Sequence, residues 1–208
     1  RDWSSDVCSS DLEGLNELTI LHCYSNGMTN LNVKNCQKLS TLYCYYNELT
    51  SLNTNGCNSL KLLYCTGNKI TSLNVSENLN LEELGCTDNK ITAIDLTQNS
   101  KLKLLGCSNN LLESIDLSKN TLLWRLHLAN NQLSSLNLNN NALISRLDIP
   151  GNWLTFRLLP IKTSVLTDYI YSPQRKIILA KKQYGLTETV NLSSELTIDG
   201  KTTNYTWK

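Results

Sequence analysis

The sequence is poor in the bulky residues that usually fill a compact interior: among 208 residues there is one phenylalanine and one methionine. A formal net charge of +1 supplies no basic surface for a nucleic acid or an anionic membrane. No stretch approaches the roughly 20 consecutive apolar residues of a membrane-spanning helix. There are two histidines, His22 and His127. No Gly-rich phosphate loop, EF-hand loop or HExxH motif occurs, and no nucleophile is grouped with a histidine and an acid. These absences point away from an enzyme and from any cofactor or metal. The length suits one sizeable domain or two small ones. Leucine and asparagine recur throughout, which suggests a periodic fold.

Residues 1–12 read RDWSSDVCSSDL. They resemble, residue for residue, the translation of a common sequencing adapter; the alternative is a natural polar leader. On the first reading Trp3 and Cys8 are foreign to the fold, the structured region starts at residue 13, and any export signal lies upstream.

From Leu18 the sequence repeats every 21 residues, over about seven units. The first and fourth positions read Leu18/Leu21, Leu39/Leu42, Leu60/Leu63, Leu81/Leu84, Leu102/Leu105, Leu123/Leu126 and Ile144/Leu147. The sixth reads Cys23, Cys44, Cys65, Cys86, Cys107, Leu128, Ile149, and the ninth is always asparagine, from Asn26 to Asn152. The unit is L-x-x-L-x-C-x-x-N-x-[LI]-[TS]-x-[LI]-[ND]-[VL]-x-x-N. Alternating apolar residues in L-x-C predict a short strand with one buried face. The asparagine then turns the chain, its amide bonding the backbone of the bend and stacking into a ladder. A second apolar pair, such as Leu73 and Val75, closes the far side of the coil. One such unit cannot bury its own apolar stripe, so each coil is stabilised by its neighbours. So short a unit leaves room for turns, 3₁₀ pieces or extended segments rather than helices.

This unit matches leucine-rich repeats, and the cysteine at position six resembles the cysteine-ladder subclass typified by internalin J. The resemblance covers residues 15–159. It implies an α/β-class leucine-rich-repeat right-handed solenoid, mostly β, with a parallel sheet on its concave face and few or no helices. It also implies a bacterial surface or secreted protein that binds a protein or glycan on a host or neighbouring cell. That functional implication is by analogy, since the scaffold serves many ligands.

Eight cysteines in such a chain invite a disulfide reading. Parallel inward side chains on strands ~4.8 Å apart exceed the ~3.8 Å Cβ separation a disulfide favours, so the ladder cysteines are expected to be free, as small apolar core residues. Cys36 and Cys57 replace the second asparagine of the repeat (compare Asn78, Asn99, Asn120). They are better candidates for pairing, although free thiols are expected there too. With no CxxC knuckle and no histidine beside the ladder, no metal site is expected.

The register decays over 153–160, where Arg157 replaces an aliphatic and Pro160 intervenes. The segment YIYSPQRKIIL reads as a strand-like cap or linker over 161–180, with Tyr169, Tyr171 and Ile177–Leu179 alternating. Residues 181–208 read as the truncated start of an immunoglobulin-like β domain, with a turn at Asp199–Lys201 and Trp207 on its last strand. The alternative is a β cap or tail of the solenoid. The N-x-[ST] matches at Asn74, Asn191 and Asn204 are chance occurrences in a bacterial chain.

Positions three, five, seven and eight of each unit are expected to face outward on the concave side. There His22, Tyr24, Tyr43, Tyr45, Tyr46 and Tyr64 fall on three neighbouring units. They form either a ligand surface or a ladder of cross-strand pairs that stabilises the sheet. A second patch, Trp124, Arg125, His127, Arg146 and Asp148, is either a charged rim for an anionic group or an exposed ion-pair cluster. His22 and His127 are five units apart, ~24 Å at strand spacing, too far to share a reaction centre. Two functional readings follow: an adhesin-like binding module using the concave face, or a passive spacer presenting another domain.

Overall fold

In the computed structural model, residues 9–154, 168–170, 197–198 and 201–202 are described. The strands, in chain order, are β1 (Ser9–Asp11), β2 (Ile20–His22), β3 (Asn30–Asn32), β4 (Thr41–Tyr43), β5 (Leu62–Tyr64) and β6 (Glu83–Gly85). They continue with β7 (Leu104–Gly106), β8 (Arg125–His127), β9 (Arg146–Asp148), β10 (Asp168–Ile170), β11 (Thr197–Ile198) and β12 (Lys201–Thr202). No helix occurs among the described residues. Each of the seven 21-residue units contributes one three-residue strand at positions three to five, and these seven, with β10 added at one edge, form an 8-stranded sheet ordered β10-β9-β8-β7-β6-β5-β4-β2. Every pair in it is parallel, and the seven repeat strands oppose equivalent residues, as in Leu42↔Leu63 and Leu63↔Leu84. A one-unit offset is the only register that keeps every leucine inside, since a single-residue slip would turn each strand's apolar residue to the solvent.

The interior is one continuous stripe. Leu42, Leu63, Leu84, Leu105 and Leu126 are fully buried, as are Cys44, Cys65, Cys86 and Cys107. Opposite them run Leu49, Ile70, Ile91 and Leu112, with Leu52, Leu73 and Val75 closing the coil. Position fourteen is less sealed, with Ile94 and Ile115 only partly buried.

Two asparagine ladders bracket this stripe. At position nine, Asn89 Nδ2 donates to the carbonyls of Cys65 and Cys86, both at 3.0 Å, while its Oδ1 accepts from Ile70 N at 3.0 Å. Asn68, Asn110 and Asn131 repeat the pattern. Each side chain thus ties its own turn to the preceding coil and satisfies main-chain groups that burial would otherwise orphan. At position nineteen, Asn99 Nδ2 donates to Val75 O and Asn78 O, both at 3.0 Å. Cys36 and Cys57 stand in this second column, and each thiol takes over one of the asparagine's bonds. Cys57 Sγ donates to Val33 O at 3.0 Å and Cys36 Sγ to Leu12 O at 3.1 Å.

Two expectations need adjustment. Cys86 and Cys107 are joined by a disulfide, whereas Cys23, Cys36, Cys44, Cys57 and Cys65 are free. The Cα atoms of Cys86 and Cys107 are 5.0 Å apart, inside the range a disulfide spans, so the coil spacing does not forbid the bond. Residues 9–12 also pair with the first coil. β1 lies parallel to β3, with Asp11 opposite Asn32, and Leu12 packs against the core. Asp11-Leu12 carries the [ND]-[VL] pair of the repeat, which is enough for the ladder to accept it. Secondly, positions seven and eight lie beyond the strands, in the turn. Position eight is left-handed throughout: Ser25, Tyr46, Gly67, Asp88, Asn109, Asn130 and Gly151 all have φ between 54° and 69°.

β10 extends the large sheet by pairing with β9, Tyr169 opposite Leu147. β11 and β12 pair antiparallel, Ile198 opposite Lys201. The remainder of the YIYSPQRKIIL segment, and the rest of the 181–208 segment expected to open an immunoglobulin-like domain, Trp207 included, lie outside the described residues.

Candidate binding face

The strands point alternate side chains out of the sheet, so positions three and five of successive coils form two parallel columns on one face. In column five His22, Tyr43 and Tyr64 are consecutive. His22 stacks on Tyr43 with ring centroids 4.6 Å apart and planes 6° off parallel, and Tyr64 meets Tyr43 edge-on at 5.3 Å. In the adjoining turn column Tyr24 stacks on Tyr45 at 4.5 Å, and Tyr46 meets Tyr45 edge-on at 5.5 Å. Tilted contacts between Tyr43 and Tyr45, and between His22 and Tyr24, join the two columns. The six residues singled out in the sequence are therefore one connected aromatic patch. The rings stack across coils, worth ~0.5–1.5 kcal/mol a pair beyond burial, yet Tyr24 and Tyr46 remain 44% and 61% exposed.

The backbone makes room for this patch. Tyr46 adopts φ 55°, a conformation that costs a non-glycine residue ~1–2 kcal/mol. Its ring occupies the space that a side chain on Gly67, the equivalent residue one coil on, would need. Tyr64 does the same over Gly85: a Cβ there would lie 2.5 Å from Tyr64 Cδ1. The Tyr64 hydroxyl donates to Glu83 Oε2 at 2.5 Å. Burial first, and the bond to Glu83 second, push the Tyr64 phenol well above its ordinary range. Desolvation within the cluster, followed by the neighbouring Tyr24, raises Tyr45.

Farther along the face the second patch is also assembled. Arg125 Nε donates to His127 Nε2 at 2.7 Å, and His127 Nδ1 lies 3.4 Å from Asp148 Oδ2. With Nε2 accepting, the imidazole proton sits on Nδ1, directed at Asp148. Arg146 lies over the Trp124 ring, 5.9 Å from its centroid. Between the two patches lie Glu83, Gly85, Thr87, Leu104, Gly106 and Ser108. None had been singled out from the sequence. The paired glycines at position five were legible there, but their meaning depends on where the Tyr64 ring goes. Among the described residues, no group of three His, Cys, Asp or Glu side chains is placed to hold a metal ion. No described helix is long and apolar enough to cross a membrane.

One-strand coils stacked in parallel, a leucine framework and asparagine turns define a leucine-rich-repeat solenoid. The chain is similar to the functional domain of InlJ from Listeria monocytogenes, which includes a cysteine ladder. Identity is 31% and the TM-score 0.57, over 76% of this chain and 40% of that one. It is also similar to a leucine-rich-repeat protein of Leptospira interrogans, at 27% identity and TM-score 0.59, over 69% of this chain and 46% of the other. An internalin, InlF, from Listeria monocytogenes matches at 25% identity and TM-score 0.64, over 79% and 52% of the two chains. The chain thus spans between two fifths and about half of these structures. No family model and no curated protein matches it.

Proposed function

We propose that the chain is the binding module of a bacterial surface or secreted protein, adhesin-like in use, which engages a protein partner through its concave face and carries out no chemistry of its own. The observation that carries this reading is the aromatic patch of His22, Tyr24, Tyr43, Tyr45, Tyr46 and Tyr64, assembled on three adjacent coils and still partly open to solvent. Stacked tyrosines on a rigid sheet present a large contact area that loses little side-chain entropy on binding. Likeness to internalins supports a protein as the partner and the cell surface or exterior as the location. An open sheet lacks the water-excluded cleft in which catalytic electrostatics operate.

The test is binding to immobilised protein and glycan arrays by the wild-type chain and by a Tyr43→Ala/Tyr45→Ala/Tyr64→Ala variant. The expected result is a protein partner whose affinity falls at least ~100-fold, about 2.7 kcal/mol, in a variant with unchanged far-UV circular dichroism. Wild-type affinity in the folded variant removes the face from the reading. Binding confined to the glycan array replaces the partner class. No partner on either array favours a passive spacer.

A further inference from the structure

Gly85 and Gly106 are neighbours in the same outward column, but they are glycine for different reasons. At Gly85 the Tyr64 ring lies across the main chain and excludes a side chain. At Gly106 a Cβ would meet nothing closer than Thr87 Oγ1 at 3.5 Å, an ordinary contact. Its backbone is not left-handed either, since Gly106 is absent from the positive-φ residues. Nothing in the fold requires glycine at this strand position, where it costs roughly 0.5–1 kcal/mol relative to alanine. A strand glycine that its own fold does not need marks a place where a ligand or another backbone approaches closely.

The surroundings of that bare floor are chemically uneven. Toward the N-terminus stands the Tyr64 ring over Gly85. Toward the C-terminus stands His127, opposite Gly106 in the register. On the turn side, Ser108 Oγ accepts from Ala129 N at 3.1 Å and keeps its own proton to donate. On the other side Leu104 is followed by Arg125 and then Arg146, aligned on adjacent strands. Two acids are near, and both are engaged. Asp148 faces His127, and Glu83, two coils from Arg125, accepts the Tyr64 hydroxyl. Two guanidinium groups on neighbouring coils suit a carboxylate, which arginine binds in a two-pronged geometry.

We infer that Gly106 is the seat for the main chain of a protein partner's loop, which lays an acidic side chain against Arg125 and Arg146 and an apolar one against Tyr64. This rests on the concave-face reading above and narrows its partner to an acidic, extended segment.

The probe is a random linear-peptide display library selected on the wild-type chain, with binders then measured against Gly106→Val, Arg125→Gln and the triple tyrosine variant, each checked for fold by circular dichroism and thermal midpoint. The expected outcome is a binder set enriched in aspartate or glutamate. Its affinity falls at least ~10-fold in both Gly106→Val and Arg125→Gln. Should Gly106→Val not fold, Gly106→Ala takes its place, with the same direction expected. Binders that lose affinity in the tyrosine variant but not in the Gly106 and Arg125 variants overturn the inference and leave the concave face standing. Binders indifferent to all three, or a selection that yields none, overturn both. A binder set without acidic enrichment overturns the partner assignment.

Discussion

The ring of Tyr64 fills the place that a side chain on Gly85 would take, 2.5 Å from the nearest ring carbon, so the two residues are a matched pair across adjacent coils. Gly85→Ala must displace the ring and disturb its bond to Glu83. The expected cost is about 1–3 kcal/mol, in the range of overpacking. Gly106→Ala in the same column has the opposite expectation. It should be neutral or stabilising by up to ~1 kcal/mol, because alanine narrows the unfolded ensemble and meets no clash. Urea unfolding of the two single variants gives the comparison directly.

Thr54 and Val75 occupy the same repeat position, one coil apart, and differ in what they offer the second asparagine ladder. Thr54 Oγ1 lies 2.8 Å from Asn78 Oδ1 and donates to it. Asn99 Oδ1, which would face Val75, is buried without a donor. Val75→Thr should therefore supply the missing donor and leave stability nearly unchanged, where a buried hydroxyl otherwise costs ~1–3 kcal/mol. Thr54→Val should cost about 1–2 kcal/mol by orphaning Asn78 Oδ1. Equilibrium unfolding of both variants tests the pairing, and equal losses would refute it.

Asn89 joins two coils through three hydrogen bonds at 3.0 Å, to Cys65 O, Cys86 O and Ile70 N. Asn89→Ala strands all three main-chain groups in the interior. The expected loss is at least ~3 kcal/mol, given a penalty of ~1–3 kcal/mol for each buried group left unpaired. Asn26, the equivalent residue of the first unit, is exposed, and Asn26→Ala should cost less than ~1 kcal/mol. Thermal unfolding of the two variants separates these outcomes.

The contrast between these residues shows what was legible in advance. Period, strand position, inward leucines and the asparagine turn all follow from side-chain spacing, because a coil of fixed length repeats its geometry. The tyrosine and arginine patches were legible for the same reason: column membership places them side by side. The left-handed backbone at position eight was hidden, since Tyr46 stands there among residues that adopt it more readily. So was the difference between Gly85 and Gly106, which depends on the direction a neighbouring ring takes. Cys36 and Cys57 read as free thiols, and they are free, but that they donate where asparagine does elsewhere depends on the carbonyl each one faces. The Cys86–Cys107 bond departs from the expectation of free ladder thiols, and spacing does not single it out, since every adjacent ladder pair has the same coil offset.

Burial pushes the Cys57 thiol up to about 11 and the Cys65 thiol up to about 12, from 9.0. Between pH 9 and those values the folded chain holds protons that the unfolded chain releases. Stability from these groups is therefore complete below about pH 9 and declines as pH rises through the folded values. Two measurements check this. The unfolding midpoint should fall on raising the pH above 9 and be insensitive to these thiols near neutrality. Iodoacetamide should label Cys57 and Cys65 only as fast as the chain opens.

Removing one whole coil tests the account most directly, because everything above depends on residues 21 apart being equivalent. Excision of residues 81–101 joins the coil of Tyr64 to that of Gly106, which then receives the ring that Gly85 received. The shortened chain should unfold cooperatively with an unchanged circular-dichroism spectrum per residue, whereas excision of residues 81–100 should abolish the cooperative transition. Equal disruption by both excisions, or equal tolerance of both, would contradict in-register stacking.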